Sequence, residues 1–382
     1  MKIAIDIRTV LPTRSGVGNY VMHLVDNLLT VDRDSSYYFL SRQENLFALN
    51  PSHPRMRPLL TIFSHENHPF GDLWEHFILP IRLKKKAIDV FHGPASLIPF
   101  RKAGFRVVVT IHDLVAFLFP HTIPIKYGAY MRYILKHAVR RADKIISVSY
   151  HTRDDLIRIL DVPPEKIVVI HEAPTPLFRP IEKEEAQAQL RDRYGLTKKY
   201  LYHLGNIEPR KNLIVLLKAF AHVCREIKED YALVLSGQPG WLTQSLQRFL
   251  QDYPLKDRIL FTGYVPQNDL PLFMNGAEVF VFPSLYEGFG LPVLEAMSCG
   301  TPVISSNCSS IPEIVENAGL LIDPSDPQAL AEQIIYLLKN PEERERLSEQ
   351  GLKQAALFTW RESARKTLDV YRSIGQLSFP FV

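Results

Sequence analysis

The sequence has few cysteines and no long apolar run, and both absences narrow the class of protein. Its 382 residues include only Cys224, Cys299 and Cys308 as cysteines, too few and too irregularly spaced for a disulfide framework or a zinc site. No stretch approaches the roughly 20 consecutive apolar residues of a membrane-spanning helix. The chain opens on a strand-like segment without the pattern of a signal peptide. We therefore expect a cytoplasmic protein.

The sequence also lacks an even distribution of charge. Residues 1–180 carry 24 Lys and Arg against 16 Asp and Glu, a net +8, and the remainder carries 21 against 25, a net −4. A basic first half can attract phosphates, acidic glycans or an anionic membrane surface, although ordinary solvated charge gives the same count. The run from Lys126 to Arg141 predicts a basic helix, which either approaches a membrane or a lipid-pyrophosphate acceptor or has an ordinary solvated face. Peripheral association with the inner face of a membrane is therefore one expectation.

Short apolar strands alternate with helical patterns along the chain. Residues 2–7 and 200–205 each form an opening strand, followed by a glycine-containing turn and an amphipathic helix. Further buried strands are predicted at residues 107–111, 144–148, 166–170, 231–235, 258–262, 279–282 and 302–305. This alternation predicts right-handed crossovers and parallel sheets. The fold class is therefore α/β, with two Rossmann-like, doubly wound domains and a cleft between them.

A proline-rich stretch marks the predicted boundary between the domains. Residues 171–180 contain three prolines, which fix φ and lack an N–H donor, so the stretch does not continue a central strand or helix. We place one domain at residues 1–175 and the other at residues 176–358.

The most informative segment is a strand, a glycine loop and a helix at residues 279–299. The strand is predicted to end near Pro283, and Pro292 takes a first helical position, where proline is favoured. The helix is expected to end at Cys299, with Gly300 after it. Unpaired N–H groups at such a helix start suit a phosphate, and glycine allows close approach of a ligand. The backbone concerned is that of Gly288, Phe289, Gly290 and Leu291.

Two carboxylates flank this loop. Glu287 lies before the helix and can accept hydrogen bonds from sugar hydroxyls. Glu295, expected in the first turn of the helix, can accept both hydroxyls of a ribose. The alternative interpretation is structural: Glu287 caps the helix, and the charge of Glu295 is favourable near the positive end of the helix dipole.

A basic turn after the first strand of the second domain gives a second candidate site. It contains Arg210 and Lys211. A guanidinium offers a planar fork and an ammonium a compact charge, and both stabilise a leaving diphosphate without a metal. A solvated helix start is the other interpretation of a basic pair.

Two more loops follow predicted strands at the same edge of the sheet. Ser236 and Gly237 follow the strand at residues 231–235 and can line the pocket. Tyr264 and Val265 follow the next strand, where a ring can stack on a base while backbone groups read its edge. Loop packing also explains Tyr264.

The first domain has weaker signals. Gly16 lies in a glycine turn between a strand and a helix, but Val21 takes the place of the third glycine of a dinucleotide fingerprint. His112 ends a buried strand, where a single histidine is more often structural. His92, with Gly93 and Pro94 after a strand-like segment, borders an acceptor site or belongs to a loop.

The chain resembles retaining glycosyltransferase family 4 over most of its length. The resemblance is carried by the E-x7-E spacing of Glu287 and Glu295 and by residues 299–305 and 312–321. It implies the glycosyltransferase-B (GT-B) fold, with the acceptor side at residues 1–175 and nucleotide-sugar binding at residues 176–358. A helix at about residues 359–382 would then pack back on the first domain.

The resemblance also implies roles for single residues. Glu287 would hold the donor sugar and Glu295 the ribose, with the backbone of residues 288–291 along the sugar and diphosphate. Arg210 and Lys211 match the family's G-x5-K turn, which places Gly205 and Asn206 beside the donor. Many relatives have Arg where this chain has Asn206, so Arg210 is expected to share the phosphate contact. Gly16 is assigned to the loop facing the diphosphate, and His112 to the donor sugar or the reacting centre.

The resemblance therefore implies a retaining hexosyltransferase of surface or envelope polysaccharide synthesis. The donor would be UDP-glucose or GDP-mannose, with UDP-glucose preferred, and the acceptor a glycan or a lipid-linked molecule. We expect no cofactor, no nucleic acid partner and no metal, although Asp32 and Asp34 form the D-x-D pattern of a different glycosyltransferase fold. The alternatives are a nucleotide-sugar epimerase, a sugar phosphorylase or a non-catalytic nucleotide-sugar-binding module. The first two need acid–base groups or a pyridoxal phosphate lysine for which the sequence has no signature.

Overall fold

The computed structural model describes most of the chain, as two compact units. The described residues are 1–11, 16–43, 53–63, 71, 74–101 and 103–375. Unit 1 comprises residues 1–117, 129–172 and 359–382, and unit 2 comprises residues 118–128 and 173–358. Most of the polar turn before Gly16, and the predicted last helix beyond residue 375, lie outside the described residues.

The described residues of unit 1 form a parallel sheet of seven strands in the order β3-β2-β1-β4-β5-β6-β7. The strands are β1 (Lys2–Asp6), β2 (Ser36–Ser41), β3 (Met56–Leu60), β4 (Val90–Gly93), β5 (Arg106–Ile111), β6 (Lys144–Ser147) and β7 (Ile167–Val169).

Unit 2 has a parallel sheet of six strands in the order β10-β9-β8-β11-β12-β13. The strands are β8 (Tyr200–Leu204), β9 (Ala232–Ser236), β10 (Ile259–Gly263), β11 (Val279–Phe282), β12 (Val303–Ser306) and β13 (Leu320–Ile322). The strand order reverses at β1 in the first sheet and at β8 in the second, and ligands of doubly wound folds bind at the carboxyl ends of such strands.

Helices connect the strands. Among the residues that the structure describes, the α-helices are α1 (Gly16–Val31), α2 (Leu79–Lys85), α3 (Val115–Leu118), α4 (Ile125–Arg141), α5 (Tyr150–Leu160), α6 (Lys183–Tyr194), α7 (Leu213–Glu226), α8 (Gln244–Gln251), α9 (Leu270–Gly276), α10 (Leu291–Ser298), α11 (Ile311–Val315), α12 (Pro327–Lys339), α13 (Pro341–Ala355) and α14 (Trp360–Gly375). A π-helix (Trp74–Ile78) precedes α2. Short 3₁₀ turns lie at Pro120–Thr122, Pro164–Lys166, Pro209–Lys211 and Lys256–Arg258.

Periodic apolar side chains explain how the helices pack. In α1, the residues Tyr20, Val21, Leu24, Val25 and Leu28 are buried at the three- and four-residue spacing of one helical face. Helix α14 packs against α1 and lies beside β4, β5 and β6. In unit 2, α7 and α12 pack against each other over the sheet and enclose a core of Leu, Ile, Val and Phe.

The predicted fold class is confirmed, since both sheets are parallel and connected by helices. Strand β3 was not predicted, because Arg57 and Pro58 break its apolar pattern; proline is tolerated there since the strand is at the sheet edge. His92 does not belong to a loop, contrary to one of the two interpretations. It lies in β4, fully buried, with Nδ1 2.6 Å from Tyr371 Oη and Nε2 2.9 Å from Thr110 Oγ1.

Candidate active site

The basic turn of unit 2 follows the central strand β8. After the short 3₁₀ turn Pro209–Lys211, Asn212 takes a left-handed φ of 58° and starts α7. The Asn212 side-chain amide donates to the carbonyl oxygens of Pro283 at 3.1 Å and Pro324 at 2.6 Å. These bonds hold the turn against the loop that follows β11, so the two predicted site segments meet.

Five side chains form an ion cluster where these loops meet, and we call it the Glu287 cluster. Glu287 Oε1 accepts from Lys211 Nζ at 2.6 Å and from Ser284 Oγ at 2.5 Å, while Oε2 accepts from Arg210 Nη1 at 2.8 Å. Arg210 Nη2 donates to Glu208 Oε1 at 2.7 Å. The structure therefore brings Arg210, Lys211 and Glu287 together as one buried group.

The charges of the Glu287 cluster stabilise one another. Burial alone would raise the pKa of Glu287, but the charges of Arg210 and Lys211 lower it to about 2. Burial lowers the pKa of Lys211, an effect that Glu287 opposes. The Lys211 ammonium also lies 4.8 Å from the centre of the Phe282 ring, a favourable cation–π distance. Glu287 is therefore a weak base, held by two cations.

The loop between β11 and α10 is fixed by two serines. Glu287 N donates to Ser309 Oγ at 3.0 Å, and Ser310 Oγ donates to the carbonyl oxygens of Glu287 at 3.0 Å and Phe289 at 2.7 Å. Gly290, with a φ of 110°, comes directly before Leu291, the first residue of α10. The first N–H groups of an α-helix have no acceptor within the helix, so the start of α10 suits an anion, and the role of the backbone of Gly288 to Leu291 stays a prediction.

Glu295 does not lie in the first turn of its helix, so that prediction was wrong. Helix α10 begins at Leu291, and its first turn has no acidic residue. Because Glu295 is the fifth residue, it lies one turn into the helix. Its charge acts on Tyr202 and Cys299, whose pKa values are raised by burial and also by this carboxylate, with local hydrogen bonds opposing the shift.

The remaining donor-side residues of unit 2 lie at the ends of β8, β9 and β10. Gly205 N donates to Ser236 O at 2.9 Å, and Gly237 N donates to Gly263 O at 2.9 Å. Gly237 has a φ of 146°, and a Cβ there would lie 2.0 Å from the Gly205 carbonyl oxygen. Glycine is therefore required at position 237 for the loop after β9 to approach the loop after β8.

The residues predicted near the base have different exposure. The Ser236 hydroxyl is buried and accepts from Thr262 Oγ1 at 2.8 Å. The Val265 side chain is buried, whereas Tyr264 and Asn206 are exposed. The ring of Tyr264 is accessible for stacking, and the roles of all four residues stay predictions.

Unit 1 holds Gly16 and His112. Gly16 is exposed and opens α1. His112 Nδ1 lies 3.0 Å from Glu172 Oε1, and Nε2 lies 2.8 Å from Pro94 O. Burial lowers the pKa of His112, but the hydrogen bond and charge of Glu172 reverse this and raise it above its ordinary value. Both ring nitrogens are occupied, which makes His112 a poor general base.

Several polar residues of the site were missed by the sequence reasoning. Glu208, Ser284, Ser309 and Ser310 hold charged or backbone groups in place, and His203 lies within β8. His203 Nδ1 lies 2.9 Å from Val281 O, its ring stacks on Phe282, and burial lowers its pKa to about 4. A histidine inside an otherwise apolar strand was the one available signal.

The described residues have no feature that points to a metal or a membrane span. They contain no group of three or more His, Cys, Asp or Glu placed to hold a metal ion. Asp32 accepts from Tyr37 Oη at 2.7 Å and links the end of α1 to β2. No helix in this part of the chain has the length and apolarity to cross a bilayer.

The fold is that of the GT-B glycosyltransferases. Sucrose-phosphate synthase from Thermosynechococcus elongatus superimposes with a TM-score of 0.77 at 22% identity, over 98% of this chain and 99% of that protein. HepE from Anabaena, solved in complex with UDP-glucose, gives a TM-score of 0.75 at 20% identity, over 97% of this chain and 100% of that one.

Sequence similarity assigns the family. The model of Glycosyltransferase Family 4 matches residues 14–173, and that of Glycosyl transferases group 1 matches residues 186–354. O-antigen chain mannosyltransferase B of Escherichia coli is 35% identical over 318 residues, which are 83% of this chain and 81% of that protein. The serotype-specific mannosyltransferase WbdA of Escherichia coli is 31% identical over 74% of this chain, but the match spans only 35% of WbdA. The chain belongs to the family 4-like glycosyltransferases.

Proposed function

We propose that the protein transfers a hexose from a nucleoside diphosphate sugar to a glycan or lipid-linked acceptor, with retention of the anomeric configuration. The Glu287 cluster carries the proposal: two cations and a carboxylate lie buried beside a helix start, at the carboxyl ends of β8 and β11. Relatives named as O-antigen mannosyltransferases support a place in surface polysaccharide synthesis.

Arg210 and Lys211 would stabilise the leaving diphosphate. As the glycosidic bond breaks, charge grows on the phosphate oxygens, and positioned cations lower the energy of that transition state. Lys211 has three N–H donors, and the bond to Glu287 uses one of them. Glu287 keeps both cations in place and contacts the donor sugar, Glu295 takes the ribose, and the start of α10 takes the phosphates.

Residues at the strand ends complete the proposed donor site. Gly205, Asn206, Ser236 and Gly237 line the donor, while Tyr264 and Val265 contact the base. Gly16 and His112 of unit 1 contribute to the diphosphate and to the sugar.

The state of Glu287 supports retention through the leaving group. A carboxylate held by two cations, with a pKa of about 2, is too weak a nucleophile or base to displace the diphosphate. The diphosphate instead departs on the face that the acceptor enters. The bond from the anomeric carbon to the phosphate breaks, the bond to the acceptor oxygen forms, and a phosphate oxygen takes the acceptor proton. Product NMR that shows only the inverted anomer would contradict this mechanism.

The donor test is a screen of nucleotide-sugars. The relatives' names favour mannose, so GDP-mannose is the first candidate and UDP-glucose the second. We expect one of them to bind in calorimetry and to release its nucleoside diphosphate when an acceptor glycan is present, with or without EDTA. Binding without turnover for every acceptor would favour the non-catalytic module instead.

The proposed location of the enzyme is the cytoplasmic face of the inner membrane. Assembly of a surface glycan on a lipid-linked acceptor requires the enzyme to reach that membrane, and the net charge of +8 in residues 1–180 favours an anionic surface.

A further inference from the structure

Unit 1 exposes a group of large apolar side chains that are next to basic residues. Phe77 and Ile78 end the π-helix, Ile81 lies in α2, and two tyrosines lie in α4. The exposed fractions are 45% for Phe77, 47% for Ile78, 55% for Ile81, 38% for Tyr130 and 59% for Tyr133. We call these five side chains the apolar face. Grouped exposed apolar residues usually mark an interaction site.

Ring contacts join the two parts of the apolar face. The Phe100 ring stacks on His76 with centroids 3.4 Å apart and meets the Tyr133 ring edge-on at 6.0 Å. The Arg101 guanidinium lies 5.4 Å from the centre of the Phe77 ring. His76 of the π-helix and Tyr133 of α4 therefore both contact the Phe100 ring.

The charge around the apolar face has one sign. Residues 76–142 contain twelve Lys and Arg but only two carboxylates, Asp89 and Asp113. Exposed cations follow the apolar residues along both helices: Lys84 and Lys85 in α2, Lys86 after it, and Lys136, Arg140 and Arg141 in α4. Neither α2 nor α4 contains an acidic residue.

We propose that the apolar face, with its rim of cations, docks on a bilayer that contains anionic phospholipid. Tyrosines and basic residues are the side chains that prefer the membrane–water interface, and exposed Ile and Phe gain free energy when they enter it. Lysines beside an anionic surface add attraction that salt screens. A soluble polyanion would use the cations but leave the isoleucines in water. The inference rests on the proposed location of the enzyme and names the surface that achieves it.

Vesicle sedimentation of the full chain tests the inference. The wild type is mixed with vesicles of phosphatidylcholine alone, or of phosphatidylcholine and phosphatidylglycerol in equal parts. One variant carries K84Q, K85Q and K86Q, and a second carries I78S and I81S. The matched controls, on exposed positions of unit 2, are K228Q with K339Q and K353Q, and L357S.

We expect the wild type and both controls to sediment with anionic vesicles but not with neutral ones. The triple Lys variant should partition about a hundredfold more weakly, since each lysine near an anionic surface contributes about fivefold. The isoleucine variant should also lose binding, and raised salt should weaken the wild type. Thermal unfolding checks that the variants are folded.

Three outcomes would overturn the inference: no binding of the wild type to anionic vesicles, equal binding of the triple Lys variant, or binding that is unchanged by I78S and I81S. The last, together with competition by heparin, would indicate a purely electrostatic polyanion site. Turnover of nucleotide-sugar with a soluble acceptor is measured on the same samples. A wild type that turns over the nucleotide-sugar normally but does not bind anionic vesicles rejects the docking surface alone, whereas absent turnover in all samples rejects the proposed reaction.

Discussion

The two units each bury an ion cluster after their central strand, but the two clusters are built differently. After β1, Arg8 Nη2 donates to Asp6 Oδ2 and to Glu75 Oε2, both at 2.6 Å, and the three side chains are at most 4% exposed. After β8, the side chains of Arg210, Lys211 and Glu287 are 17%, 8% and 10% exposed. Arg8 bridges two carboxylates in the first cluster, whereas in the second Arg210 and Lys211 share Glu287 and Arg210 also binds Glu208.

This difference supports a structural role for the first cluster and the proposed catalytic role for the second. Burial would lower the pKa of Arg8, but Asp6 and Glu75 raise it above its ordinary value, so the charge is permanent and enclosed. In the Glu287 cluster, Lys211 lies against Gly205, and Glu287 precedes the start of α10 by four residues. The unit 1 cluster therefore has the features of a structural ion pair, whereas the unit 2 cluster is the one that we propose to contact the diphosphate.

The largest expected effect is on turnover in unit 2. Lys211→Ala removes a cation from the proposed diphosphate site, and we expect kcat to fall about 10²–10³-fold, the usual cost of one transition-state donor. Stability should change little, because Glu287 keeps its bonds to Arg210 and Ser284. The control is Lys218→Ala at an exposed position of α7. An unchanged kcat would remove Lys211 from the mechanism.

The corresponding change in unit 1 should affect stability instead. Arg8→Met removes the cation that bridges the buried Asp6 and Glu75, and breaking a buried pair in this way costs about 3–5 kcal/mol. The measurement is urea unfolding followed by circular dichroism, with the exposed Arg33→Ala as the control. A loss below about 1 kcal/mol, in the range of surface pairs, would show that the unit 1 cluster is not structural.

The sequence was sufficient to predict the sheets and the strand-end residues, because both depend on local sequence pattern. Alternating strands and helices predicted both parallel sheets, because a buried strand between helices has little choice of topology. Polar residues at strand ends identified Arg210, Lys211 and Glu287, since the carboxyl ends of parallel strands share one edge.

What the sequence did not predict depends on tertiary contacts. Arg8 and Glu75 are 67 positions apart, and nothing in either local pattern marks them as partners. Glu287 was predicted as a sugar ligand, but its bonds to both cations depend on two loops that meet only in the fold. Ser309 and Ser310 follow a different strand, so their support of residues 287–289 was equally hidden.

Gly237 tests how closely the loops of unit 2 must approach. In Gly237→Ala, the new Cβ would lie 2.0 Å from Gly205 O at a φ of 146°, so we expect a loss of more than about 1–2 kcal/mol, the cost of left-handed backbone alone. Donor affinity should fall too. Gly263→Ala is the matched control, because its φ is +67° but no atom lies within 4 Å of the new Cβ. Equal losses in urea unfolding would mean that the close approach is unimportant.

Two histidines extend the comparison to pH. The pKa of His203 is lowered to about 4 by burial, so its stabilising effect is present above the unfolded value of about 6.5 and is lost as the pH falls towards 4. His112 has a raised pKa, so its contribution is present below about 6.5 and is lost as the pH rises through the folded value. In an NMR titration, we expect the midpoint of His112 to lie above the ordinary histidine value of about 6.5 and that of His203 to lie well below it. A His203 midpoint near 6.5 would contradict its buried, neutral state.

Gly16 gives the smallest expected change in stability and the finest test of unit 1. A Cβ at this exposed helix start would meet no atom within 4 Å, so Gly16→Ala should shift the free energy of unfolding by no more than about 0.4–1 kcal/mol, in the stabilising direction. If the Gly16 backbone approaches the diphosphate as proposed, the added methyl group should raise KM for the donor although the fold is intact. Gly104→Ala, also free of neighbours but with a φ of +81°, controls for a general effect of the substitution. A normal KM would mean that the Gly16 backbone does not approach the diphosphate, which would leave the diphosphate to the residues of unit 2.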